Sequence, residues 1–170
     1  MSDIDQFKGT PFDERNTGII PGSLKTLTVL TFIGCGIGLL GTLYNIISGK
    51  KNLDTMEKMQ GSEQLEKMPD FLKKMYTPEA VELTRIGYEN RIPLTIISLV
   101  AIALCLYGAI QMRALKKQGY SLWLIGELLP IIGTVIFIGT AAFSNFSGII
   151  LLSIVALFVL LYSLQLKYLR

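Results

Sequence analysis

Apolar residues along this chain gather into four long windows with almost no charge: Leu24 to Ile47, Ile92 to Met112, Ser121 to Ala142 and Gly148 to Leu166. Each approaches the twenty or so residues with which an α-helix, rising about 1.5 Å per residue, crosses the roughly 30 Å hydrocarbon core of a bilayer. No soluble fold requires four of them. The pattern therefore predicts an all-α, integral membrane four-helix bundle. The polar stretch 48–91, between the first two windows, has a different rhythm. Leu53, Met56 and Met59, then Leu65, Met68, Leu72 and Met75, recur near the helical period. That spacing predicts an amphipathic helical loop, two or three short helices lying on the membrane or on a partner. Asp54 with Lys58, Glu63 with Lys67 and Asp70 with Lys74 set an acid four residues before a base, the helix-supporting order. Pro69 and the Thr77-Pro78 pair punctuate the loop. Thr77 as N-cap and Pro78 at the first helical position start a helix that leads to the second span.

Helix ends and small residues refine the picture. Ser23, after Pro21 and Gly22, reads as the N-cap of the first span, which leaves residues 1–22 as a disordered cytoplasmic tail and 23–170 as the membrane domain. The tail carries four acids against two bases, and the apolar run after it is too long for a signal-peptide core and lacks a small-residue cleavage site. A retained span is expected. Gly34, Gly38 and Gly41 share one face of that span, a small-residue face on which another helix can approach closely.

Charge gives orientation. The sixteen bases divide equally between the two sides, but Arg113, Lys116 and Lys117 are packed into the short loop "RALKKQGY" without nearby acids. By the positive-inside rule that loop, and with it both chain ends, is predicted to be cytoplasmic. Gly119 in this loop reads as a helix-ending position. Tyr120, Trp123 and Tyr168 at this end, with Tyr44 and Phe146 at the other, read as interfacial aromatic belts. Asn145, Phe146 and Ser147 form a glycosylation sequon only in form, since the turn is very short and abuts the membrane. A net charge of +3, not gathered into a basic groove, gives no reason to expect nucleic acid as a partner.

Candidate chemistry is sparse. Histidine is absent from the sequence, which removes His-based zinc sites, bis-histidine haem ligation and Ser-His-Asp catalysis. Cys35 and Cys105 both lie inside predicted spans, at similar depth if those spans run antiparallel, and read as small buried fillers. Met56 and Met59 have no Cys or His beside them and read as an apolar stripe, not a soft-metal site. Neither catalytic residue, cofactor nor metal is predicted, and the chain is not expected to be an enzyme. One residue stands out. Glu127 is the only carboxylate in the run from Tyr120 to Ala142, about 9 Å below the predicted start of its span, with Pro130 three residues on. An acid there must be protonated, paired or facing water. Matching depths across antiparallel spans proposes Tyr107, Tyr162 and Thr31 as its partners, with Gln111 and Gln165 one turn nearer the cytoplasm. Pro130 lacks an N–H for the Gly126 carbonyl and is expected to kink the helix beside the acid.

The run "YGAIQMRALKKQGYSLWLIGELLPII", Tyr107 to Ile132, resembles small bacterial four-span membrane proteins with a basic short loop followed by an aromatic-rich helix start. The resemblance implies the same topology and a place in a bacterial inner membrane, and no functional residue follows from it. Small multidrug-resistance transporters also have four spans and one membrane glutamate, but theirs is in the first helix and their loops are short. The reading is a non-enzymatic accessory or scaffolding subunit that meets lipid and other membrane chains or copies of itself. Its alternative is a small transporter or channel using Glu127.

Overall fold

The computed structural model describes residues 20–60, 62–73, 76–144 and 146–169. The tail to residue 19, with Lys8 and Arg15, lies outside the described residues, as do Lys74, Met75, the sequon's Asn145 and Arg170. Among the described residues the secondary structure is helical, without strands: α1 (Gly22–Gln60), α2 (Glu63–Glu66), α3 (Asp70–Lys73), α4 (Pro78–Glu89), α5 (Arg91–Arg113), α6 (Lys117–Phe137) and α7 (Phe146–Ser163), with short 3-10 turns at Thr140–Phe143 and Leu166–Tyr168. Four stretches are long and apolar enough to cross a membrane, Gly22–Gln60, Arg91–Arg113, Lys117–Phe137 and Gly148–Tyr168.

The first helix overruns its predicted end at Ile47 by thirteen residues. At 39 residues it is about 58 Å long, nearly twice a hydrocarbon core. Hydropathy falls at Gly49-Lys50-Lys51, but no proline stops the backbone there, and Gly49, a helix-ending signal by its position, stays inside the helix. The extension is covered by α4, not left to lie on a surface. Leu53 and Val81 are buried, the Thr84 hydroxyl lies 3.5 Å from the Met56 sulfur, and the Arg85 Nη2 donates to Glu57 Oε1 at 2.8 Å. Arg85 also reaches Glu82 at 3.6 Å, and the Glu57 hydrogen bond, then the Glu57 and Glu82 charges, raise the guanidinium's pKa. Lys73 pairs with Asp70 at 3.2 Å. Among the described residues no ion pair joins Asp54 with Lys58 or Glu63 with Lys67; the local pairs that form are three residues apart, and the Arg85–Glu57 bridge links α4 to α1. The start of α4 follows its local signal: Thr77 is the N-cap, its hydroxyl accepts from the Ala80 N–H at 3.3 Å, and Pro78 occupies the first turn.

Two other helix ends differ from the sequence reading. The Ser23 hydroxyl donates to Gln165 Oε1 at 2.9 Å, and α1 begins at Gly22, with the Pro21 carbonyl accepting from Lys25 N–H. Gly119 does not end a helix. It lies inside α6, and the turn out of α5 is made by Leu115 in the left-handed region, φ 59°, with Lys116 N–H returning to the Gln111 carbonyl. This is the Schellman arrangement with leucine where glycine is usual.

Gly119 is needed elsewhere. The α5 and α6 helices form an antiparallel pair at backbone distance, and Gly119, Gly126 and Gly133, seven apart, line one face of α6. A Cβ at Gly119 would stand 2.6 Å from the Gly108 carbonyl oxygen and from Met112 N; one at Gly126 would stand 2.7 Å from the Cys105 sulfur and 2.9 Å from the Ala101 carbonyl. In a bilayer, where burial of apolar surface does not drive helices together, a van der Waals fit this close is what holds two apolar helices together. The α1 helix packs against α5 as well. The α7 helix is held mainly at its C-terminal end, where Tyr162 is the one fully buried side chain among its described residues. The core is therefore off-centre, at the end of the α5–α6 turn: Leu24, Leu27, Cys35, Cys105, Met112, Trp123, Tyr162 and Leu169.

Candidate functional site

Glu127 sits deeper in its helix than the predicted start of the span suggested. Because α6 begins at Lys117, Glu127 is the middle residue of a 21-residue helix, about 15 Å from either end. Its Oε2 accepts from the Cys105 thiol at 3.6 Å, and the same sulfur lies 3.7 Å from the Trp123 carbonyl. Cys35 is buried beside Cys105, both as free thiols. Soft sulfur thus fills the space between α1, α5 and α6, and Glu127 borders it half-buried.

The six residues proposed from depth alone separate into pieces. Thr31 and Tyr162 share a buried hydrogen bond of 2.7 Å, and the Tyr162 ring stacks on Trp123 at 4.4 Å between centroids. Gln165 is taken by Ser23. The Gln111 Oε1 is buried and finds no donor among the described residues. Tyr107 faces outward, 53% exposed. Depth placed it correctly along α5, but two residues from Cys105 is a rotation of about 200°, and only the Cys105 side meets α6. Rotation also decides Trp123, which is buried at 1% exposure between Tyr120 and Tyr162 and forms no interfacial belt. Tyr44 is exposed at the other end, as a belt residue would be, and the Phe146 side chain lies outside the described residues.

Among the described residues, no helix approaches the glycine face of α1 at backbone distance. A Cβ at Gly34 or Gly41 would meet nothing within 4 Å, and one at Gly38 would touch only the Ile102 side chain at 3.7 Å. Backbone-distance packing within the chain is made by Gly108, Gly119 and Gly126. On α6 the signal was legible as the seven-residue repeat of Gly119, Gly126 and Gly133, "G-x6-G-x6-G". Pro130 lies within a helix that runs unbroken from Lys117 to Phe137.

Sequence reading missed a second polar feature. At the end of the molecule away from the Trp123 core, a half-open cavity of about 1660 Å³ lies between the second half of α1, α4, the first turns of α5 and the turn after α6. On α1 it is lined by Thr42, Asn45, Gly49 and Asn52, spaced three and four apart, so they fall on one side of the helix and give it a stripe of neutral polar groups. Thr95 and Ser98 face it from α5. The Thr42 and Ser98 hydroxyls donate to carbonyls one turn back in their own helices, at 2.8 Å each, which leaves their lone pairs toward the cavity. Arg91 stands at its rim. Its Nη1 donates to the Tyr88 carbonyl at 3.0 Å, its guanidinium lies 4.3 Å from the Tyr88 ring centroid, and among the described residues no carboxylate pairs with it. That periodicity, 42, 45, 49, 52, was the signal.

No protein-family profile matches the chain, and no curated protein or solved structure is significantly similar to it.

Proposed function

We infer that the chain is a non-enzymatic integral membrane protein, an accessory or scaffolding subunit whose first helix receives another membrane helix. The four apolar helices cross the bilayer, with the chain ends and the Arg113-to-Lys117 turn cytoplasmic, in a bacterial inner membrane. One observation carries the docking role. Where glycines align on α6, a neighbouring helix sits at backbone contact, whereas the glycines of α1 are equally aligned and a Cβ at Gly34 or Gly41 would enter open space. In lipid such a face gains van der Waals contact only from a second helix, supplied by a different chain or a second copy.

Open space makes the test selective. At Gly34→Leu and Gly41→Leu the new Cβ atoms have no described atom within 4 Å, and removing two mid-helix glycines stabilises α1 by roughly 0.5 to 1 kcal/mol each. Native mass spectrometry after extraction in mild detergent is expected to show the wild-type chain in a larger particle and the double variant as a folded single chain. A wild-type chain that is solitary, or a particle unchanged by the two leucines, contradicts the scaffold role.

A further inference from the structure

Arg91 belongs to two hollows at once. Besides the polar cavity it lines a second groove of about 230 Å³ on the outer surface, formed with Ile46, Ile92, Thr95 and Ile96. Ile46, Ile92 and Ile96 are 47%, 65% and 57% exposed, so this groove is an apolar furrow between α1 and α5. The guanidinium thus joins an apolar groove to a cavity whose lining sets neutral amides and hydroxyls among apolar side chains.

We propose that this junction is a binding site for an anionic phospholipid whose head group carries hydroxyls: phosphate on Arg91, an acyl chain in the Ile46–Ile92–Ile96 groove, and the head group in the polar cavity. The inference rests on the reading that α5 crosses a bilayer. Arg91 is the first residue of that 23-residue helix, which at about 34 Å just exceeds the hydrocarbon core and brings its end to the depth of lipid phosphates. Recognition follows from the donors. The Tyr88 carbonyl and ring hold the guanidinium in one orientation while occupying one of its five N–H groups, so a planar fork remains for phosphate oxygens. The Asn45 and Asn52 side-chain amides make no hydrogen bond among the described residues, and with the Thr95 hydroxyl they offer neutral donors and acceptors suited to hydroxyls. Glu79 also borders the cavity, exposed in the first turn of α4 on the far wall, and does not approach Arg91 as an ion pair. The groove commits the occupant to a lipid, because a free sugar phosphate has no use for three isoleucines.

The experiment titrates dioleoylphosphatidylglycerol, dioleoylphosphatidylcholine and glycerol 3-phosphate onto the full-length protein in detergent, read by native mass spectrometry and by thermal stability. Phosphatidylglycerol is expected to be retained and to raise the melting temperature; Arg91→Gln is expected to weaken it about tenfold, the scale of one charge-assisted fork. Ile96→Trp, which fills the groove from its exposed side, is expected to weaken it comparably while helix content stays at the wild-type level. Equal binding of phosphatidylcholine, or indifference to both substitutions, overturns the proposal. Saturation by glycerol 3-phosphate as tight as by the lipid overturns it in favour of a soluble anion. A protein that is monodisperse without detergent refutes the membrane reading itself, whereas one that needs detergent but retains no phosphatidylglycerol refutes this site alone.

Discussion

Gly119→Val is expected to separate α5 from α6. The new Cβ would lie 2.6 Å from the Gly108 carbonyl oxygen and from Met112 N, both backbone atoms that no rotamer change can move aside. Overpacking a well-filled core usually costs about 1 to 3 kcal/mol, and a clash with backbone on the partner helix belongs at or above the top of that range. The chain contains a single tryptophan, Trp123, one turn beyond Gly119 and packed in the same contact, so its fluorescence reports this crossing without a label. The variant should show red-shifted, quencher-accessible emission in detergent and a lower denaturation midpoint. If Gly119 were only a helix-ending residue, valine there would leave the emission unchanged.

Trp123→Ala is expected to cost about 3 to 5 kcal/mol, the range for emptying a buried aromatic site. The indole fills the space between Met112, Tyr120 and Tyr162, and Tyr162 is the main hold of α7 on the rest of the molecule. Loss of the ring should therefore free α7 before the other helices. Denaturation followed by helix content should show a large stability loss, and limited proteolysis should cut first between α6 and α7. A tryptophan serving as an interfacial anchor would give a change of a few tenths of a kcal/mol, because the sequence reading placed it at a wet boundary and not in a packed core.

These two residues show where local pattern stops being informative. The four spans were readable because apolar length is a property of each segment alone. The Thr77-Pro78 start of α4 was readable for the same reason, since a cap involves only its own first turn. Gly119 carries two signals, a helix-ending residue after a basic loop and one member of a seven-residue glycine repeat, and the interhelical one prevailed; Leu115 then accepted the left-handed turn. The length of α1 was missed because hydropathy ends at Lys50 and Lys51 while backbone helicity continues under cover of α4. Depth matching chose Thr31, Tyr162 and Tyr107 as partners of Glu127, yet Thr31 and Tyr162 bond each other and Tyr107 faces outward, because depth fixes only one coordinate and the rotation of each helix fixes whether a side chain faces inward. The polar cavity went unread because its walls come from three helices, and only the stripe on α1 left a periodic trace.

That four helices cross a bilayer, with the termini and the α5–α6 turn on one side and the α2–α3 segment on the other, is tested most directly by site-specific labelling. Cysteines placed one at a time at Lys116 and Asp70, in sealed vesicles of known orientation, are treated with a membrane-impermeant maleimide; the native Cys35 and Cys105 are buried and serve as the background. The expected result is labelling of the two positions from opposite faces. Labelling of both from the same face contradicts the arrangement.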